Sequence, residues 1–410
     1  MTARKLQLGV VGLGRAFMLM LPTLARHPRL KLVAAADPRP EALRQFNTDF
    51  GGKTYESVAE IAADPSVEAL YIASPHQFHV EHVTLAAANG KHVLVEKPMA
   101  LSLDECETMV MAARIAGIHM IIGHSHSFDA PYLRAHEMIT SGQFGRVRMI
   151  TALNFTDYLY RPRRPEELDT SRGGGAVFSQ APHHVDIVRL LGGGRARSVR
   201  AETGAWDHKR RTEGAYSAFI TFEDGAFASM TYSGYGHFDT DELCGWIGEM
   251  GQTRDETEYG SARRRLQNLV GPDDEAVLKN QRAYGHSMIA ANEKLGSPPL
   301  AHNHFGLVVV SCEAADLRPT PLGVMVYGDD RKWFETLPAP DVPRAEVIDE
   351  LIAAVIEGRP PLHSGAWGTA TAEVCLALLQ SAREGREIIL RNQVSAESQT
   401  SPVRSAERFQ

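Results

Sequence analysis

The chain has 410 residues, 43% of them hydrophobic, which is too many for one ordinary globular core and enough for two. Its net charge of -7 leaves no basic excess to recruit nucleic acid, so an anionic ligand has to be held by a local cluster of cations. The 4 cysteines are widely spaced with no C-x-x-C pair, arguing against a zinc ribbon or a disulfide framework, and no apolar run reaches membrane-spanning length. With no signal-peptide pattern at the N-terminus, a cytoplasmic protein with no membrane partner is expected.

Residues 6 to 120 alternate short apolar runs (LQLGVV, KLVAAA, VEALYIA, KHVLVE) with helical patterns, the rhythm of βαβ units around a buried parallel sheet. Helix ends are expected at Gly90 and Gly117. From about Gly145 the texture becomes that of alternating strands, with EDG turning AYSAFITFEDGAFASMTYSG into a hairpin. Residues 241 to 320 read as an elaboration of this second domain. GVMVYGDDRKWFETL reads as a further hairpin, and VIDELIAAVIEG and GTATAEVCLALLQSAREG as amphipathic helices. The boundaries expected are a first domain over 1–125, a second over 126–391, and a disordered, polar tail over 392–410.

The first strand runs into Gly12-Leu13-Gly14-Arg15-Ala16-Phe17, which supplies two glycines of a dinucleotide fingerprint, Phe17 standing at the third position. Gly12 permits a tight turn, and Gly14 lets a pyrophosphate approach the helix N-terminus. Asp37 ends the second strand about 20 residues later, where it accepts hydrogen bonds from ribose hydroxyls and repels a 2′-phosphate. NAD is therefore the expected cofactor, with Arg39 leaving NADP open.

Taken together, GLGRAF, Ser74-Pro75-His76-Gln77-Phe78-His79, Glu96-Lys97-Pro98, and Gly173-Gly174-Gly175 followed by His183 and Asp186 resemble the Gfo/Idh/MocA dehydrogenase family. The resemblance implies an α/β protein with an N-terminal Rossmann doubly wound parallel sheet, and a C-terminal α/β domain on an open, mostly antiparallel sheet through which homo-oligomers form. It also implies that Ser74, Pro75, His76, His79, Glu96 and Lys97 line the cofactor, with Lys97 and His183 as the acid-base pair beside the nicotinamide. Ser179 stands where polyol-oxidising relatives usually carry an aspartate, and His126 where many carry an arginine.

The fuller pattern, including NFTDYLYRPRRPEELDTSRGGG, resembles the members that oxidise a cis-dihydrodiol of phthalate to 4,5-dihydroxyphthalate. A dicarboxylate needs cations, and arginine forks match carboxylates. Asn154, Tyr158 and Arg161, with His126, Ser179 and His184, are the expected substrate contacts. The alternatives are a sugar or inositol dehydrogenase of the same family and a non-catalytic NAD-binding sensor. His124 and His126, sharing a strand face, with His183, His184 and Asp186, raise a metal centre, but closed ligand spacing is absent and no metal is expected.

Overall fold

Strands such as Ala69–Ile72, buried at every position, can lie only between two helical layers. In the computed structural model, which describes residues 4–258, 260–269, 274–286 and 299–396, six strands pair in parallel, the central ones largely buried and the edge strand Lys53–Tyr55 not. They are β1 (Leu6–Val11), β2 (Leu30–Ala36), β3 (Lys53–Tyr55), β4 (Ala69–Ile72), β5 (His92–Val95) and β6 (Met120–Ile122), in the order β3-β2-β1-β4-β5-β6. The order reverses between β1 and β4, opening a crevice at their C-terminal ends. Helices α1 (Arg15–Arg26), α2 (Pro40–Phe50), α3 (Val58–Ala63), α4 (His79–Ala88) and α5 (Leu103–Ala116) are the connections. The α5 boundaries follow its sequence: Ser102 and Glu105 close a capping box, and Gly117 at φ 65° ends it.

The second sheet has nine strands in the order β14-β13-β12-β11-β7-β10-β9-β8-β15. They are β7 (Val147–Phe155), β8 (Ala196–Gly204), β9 (Ala215–Phe222), β10 (Phe227–Ser233), β11 (Leu307–Cys312), β12 (Ala315–Thr320), β13 (Gly323–Gly328), β14 (Lys332–Thr336) and β15 (Ile388–Ile389). Only β7 and β10 pair in parallel. Gly225, at φ 91°, turns the β9–β10 hairpin where EDG was expected to, and β13–β14 is the other expected hairpin. One face packs on α6 (Ala130–Thr140), α7 (Gly175–Ser179), α8 (Ala181–Leu191) and the long helix near the C-terminus. The other leaves Met149, Phe219 and Phe227 exposed.

Two sequence expectations need correction. The helix α11 (Ala345–Val355) does not stay with the second domain. Its apolar stripe of Val347, Ile348, Leu351 and Ile352 is buried in the core of the first sheet, so a division at residue 125 separates only the chain, not the packing. Nor does order end at 391. The buried Glu373 of α12 (Gly365–Glu384) accepts the backbone N–H groups of Arg391 and Asn392, and the amide of Gln393, while Ala396 reaches the second core. The rest of the expected tail lies outside the described residues. All four cysteines are free, and among the described residues no helix is long and apolar enough to cross a membrane.

Candidate active site

The crevice between β1 and β4 is shaped for a dinucleotide. Gly12, at φ 92°, carries its hydrogen where a Cβ would stand 2.9 Å from the Ala73 carbonyl, so the turn requires glycine. A Cβ on Gly14 would meet nothing within 4 Å, and α1 begins beyond it with no side-chain cap, leaving its first N–H groups open to an anion. Asp37 accepts the Leu13 N–H at 2.7 Å and binds Arg39 through its backbone and guanidinium. Arg39 also donates to the carbonyls of Leu13 and Tyr284. These residues fit a pyridine dinucleotide, with Arg15, Ala16 and Phe17 forming the first turn of α1, although Phe17 is buried against Tyr284.

The loop after β4 presents Ser74 and Pro75 to the same crevice. His76 binds the Arg172 carbonyl across the domain boundary. His79 is fully enclosed, both ring nitrogens meeting backbone carbonyls, of Met99 and Ser74, which ties the loop down and leaves no ring atom for a ligand. After β5, Glu96 accepts a bond from Tyr71 at 2.5 Å. Lys97 crosses to the second domain, donating to the Ser179 carbonyl at 2.9 Å. Burial lowers the Lys97 pKa, although Glu96 and Glu249 act against it.

His183 lies in the first turn of α8. Asp186, on the same helix, accepts from Trp367 of α12 at 3.1 Å and from Ser125 at 2.6 Å, which locks the helix and so aims the histidine. Burial first, then Lys97 and His126, push the His183 pKa well down, and its Nδ1 is buried without a partner. Its ring centroid is 4.7 Å from that of His126.

His126 behaves oppositely. Burial works against its charge, yet Asp129 at 2.6 Å and Glu249 at 3.4 Å outweigh it and raise the pKa. Glu249 in turn is drawn down to about 2: burial opposes this, while His126 and Arg161 favour the anion. The surroundings thus favour the neutral form of His183 and the protonated form of His126, side by side. Contrary to expectation, His124 and His126 do not share a strand face, because β6 stops at Ile122 and His126 opens a short 3-10 turn. His124, His126 and Asp129 place ligand atoms within 4.8 Å of one another, a spacing that their hydrogen bonds to Asp129 explain without a metal.

Beside this group lies a cavity of about 790 Å³. Asn154 and Arg161 line it, as does Glu249. Tyr158 is buried behind the wall under Arg163, whose guanidinium sits 3.7 Å from its ring. His184 is fully buried, bonded to Tyr216 and packed on Phe305, and contributes to the core. Ser179 offers its carbonyl to Lys97. Of the arginine run, Arg163 and Arg164 bind Glu275 and Asn280 and so hold α10 (Asp274–Asn280) in place, leaving Arg161 at the cavity.

Sequence reading missed Glu249, Asp129, Arg265 and Arg282. The region 241–320 gave only a weak helical signal, and Glu249, Arg265 and Arg282 acquire meaning only where the described part of that region walls the cavity; Asp129 acquires its role only by meeting His124 and His126. Arg344, whose charge is felt by Lys97 and His183, was missed because it lies just ahead of the helix at 345–355 in sequence and comes near them only through tertiary packing.

Two family models match the chain: an oxidoreductase family with an NAD-binding Rossmann fold over residues 6–124, and a GFO/IDH/MocA C-terminal domain over 132–253. A 1-carboxy-3-chloro-3,4-dihydroxycyclohexa-1,5-diene dehydrogenase of Comamonas testosteroni is 47% identical, covering 92% of this chain and 95% of its own. The crystal structure of a protein described as a dehydrogenase from Bordetella bronchiseptica RB50 superposes with a TM-score of 0.88 at 42% identity, over 94% of this chain and all of that one. The scyllo-inositol 2-dehydrogenase of Bacillus subtilis is more distant, 28% identical over 59% of this chain and 72% of its own.

Proposed function

Because the chain belongs to the Gfo/Idh/MocA family of NAD-binding oxidoreductases, we propose that it oxidises a carboxylated cis-dihydrodiol to the corresponding catechol, phthalate 4,5-cis-dihydrodiol being the first candidate. The observation that carries this reading is the relative of Comamonas testosteroni, whose named substrate is a carboxylated dihydroxycyclohexadiene and which aligns along nearly its whole length. Ser179 in place of an aspartate, and His126 in place of an arginine, point away from sugars and inositols.

When bound, the nicotinamide supplies the hydride acceptor, and the enone left on the substrate tautomerises to a catechol. Lys97, with its charge disfavoured by burial, accepts the hydroxyl proton. His183, neutral and with a free Nδ1, holds that hydroxyl in line. The Ser179 carbonyl fixes the lysine. NAD is preferred over NADP, because Asp37 faces the ribose and holds Arg39, whose other bonds leave little of its guanidinium for a 2′-phosphate. The apolar outer face of the second sheet, bearing Phe219 and Phe227, pairs with a second copy.

NADH formation tests the reading with three substrates side by side: phthalate dihydrodiol, the chlorinated monocarboxylate dihydrodiol named for the relative, and myo-inositol. The relative favours the monocarboxylate as a second reading. Turnover on inositol alone refutes both. Lys97→Met is expected to cut turnover by roughly 100- to 10,000-fold while leaving NAD affinity within about threefold. Near-normal turnover removes the lysine from the chemistry.

A further inference from the structure

The cavity next to His126 and His183 is lined by two arginines that no acid among the described residues neutralises. Among the described residues, Arg265, on α9 (Ser261–Gln267), bonds only to Ser261 of its own helix. The Arg282 side chain has no hydrogen-bond or ion-pair partner among the described residues. No carboxylate of those residues lies within 4.0 Å of either guanidinium, although acids are plentiful nearby. Asp157 is committed to Arg161, Asp239 and Asp241 to Arg254, and Asp255 to Thr257. An unpaired guanidinium facing a cavity is a vacancy for an anion, since a carboxylate there regains the charge-assisted bonds that the protein withholds.

The rest of the wall narrows the ligand class. Leu266, Leu269, Leu278 and Met250 line the same cavity and offer a flat carbocycle an apolar surface. Arg282 is also held at a defined place: two residues on, Tyr284 donates to the Leu13 carbonyl of the cofactor turn, accepts from Arg39 and packs edge-on against Phe17 at 5.1 Å. The arginine therefore stands where the inserted segment seats on the cofactor domain. Its pKa is lowered by burial and then by Arg265 and Arg161, and that of Arg15, at the start of α1, by burial and then by Arg282, so these cations share one field.

We infer that Arg265 and Arg282, together with Arg161, form the carboxylate clamp that selects a ring acid over a neutral diol. This rests on the carboxylated-substrate reading above. Arg161 is already tethered to Asp157 and Glu249, so the two untethered arginines from the insertion supply most of the anion affinity.

The test is calorimetric binding of phthalate, an unreactive dicarboxylate, to the full chain with saturating NADH. The wild type is compared with Arg282→Gln, Arg265→Gln and the double variant. The phthalate Kd is expected to weaken roughly tenfold or more for each arginine, with NADH affinity within about twofold and thermal stability preserved. For turnover, KM rises and kcat holds. Unchanged phthalate affinity in the double variant, or no phthalate binding by the wild type, overturns the clamp. Loss of NADH affinity in step with the substitutions also overturns it, by assigning the cations to the cofactor pyrophosphate. Arginine-dependent phthalate binding without turnover of either dihydrodiol upholds the clamp and refutes the reaction instead.

Discussion

Replacing Glu249 by glutamine removes one charge and little volume from the wall between the cavity and the histidines. Its Oε1 lies 3.4 Å from His126 Nε2, and its Oε2 lies 3.8 Å from Arg161. At an effective dielectric of about 20, unit charges at that first distance attract by about 5 kcal/mol. Two features reduce this ceiling: the Glu249 side chain is 26% exposed, and Asp129 continues to hold the ring. A loss of about 1–3 kcal/mol is therefore expected, or roughly 5- to 150-fold in kcat/KM at neutral pH. The sign is definite. Without Glu249 the His126 pKa falls, the ring loses its proton at a lower pH, and the charge that helps to keep His183 neutral weakens. Ring-nitrogen NMR titration of wild type and Glu249→Gln, with His126→Asn to assign the resonance, reads the first effect, and the pH profile of kcat/KM reads the second. A His126 titration and a pH profile that both superimpose on those of the wild type refute the reasoning.

Asp37→Ala frees Arg39 and removes the ribose acceptor; the KM for NAD should rise about 10-fold or more while the NADP to NAD preference rises, and an unchanged ratio in steady-state assays counts against the assigned role. Acid should destabilise the fold through its enclosed histidines. Burial lowers His79 to about 4 and His124 and His184 to about 3, so the stability they contribute is full above the ordinary value of 6.5. It is lost as pH falls below that value, because the unfolded chain takes up protons that the folded rings refuse, by up to about 1.4 kcal/mol per pH unit per ring. Urea midpoints measured between neutral and mildly acid pH check the slope. Phe219→Asp, on the open sheet face, should shift the sedimentation coefficient toward that of a monomer without lowering the melting temperature, and an unmoved coefficient places the oligomer contact elsewhere.

Much of this molecule follows from local chemistry. The parallel sheet was legible because buried strands must be apolar at every position, and the cofactor turn because only glycine tolerates the backbone at Gly12. The capping box at Ser102 and Glu105 and the EDG turn mark their own boundaries for the same kind of reason: each depends on residues a few positions apart. Lys97 and His183 were legible as a motif, but their buried surroundings were not, since the lowered pKa of both and the orphaned Nδ1 of the histidine come from burial and from neighbours far away in sequence.

What only the tertiary structure decided are the long-range meetings. A helix at 345–355 enters the first core because its apolar stripe finds α1 there, and a polar stretch after 391 is ordered because Glu373 gathers its N–H groups. Glu249, Arg265 and Arg282 belong to a segment with only a weak helical signal. Their significance is electrostatic, and charge interactions act through space rather than along the chain. The sequence alone marked the glycine turn of a dinucleotide-binding fold and the Lys97 and His183 motif; the packing of the insertion against the first domain decided which charges surround them.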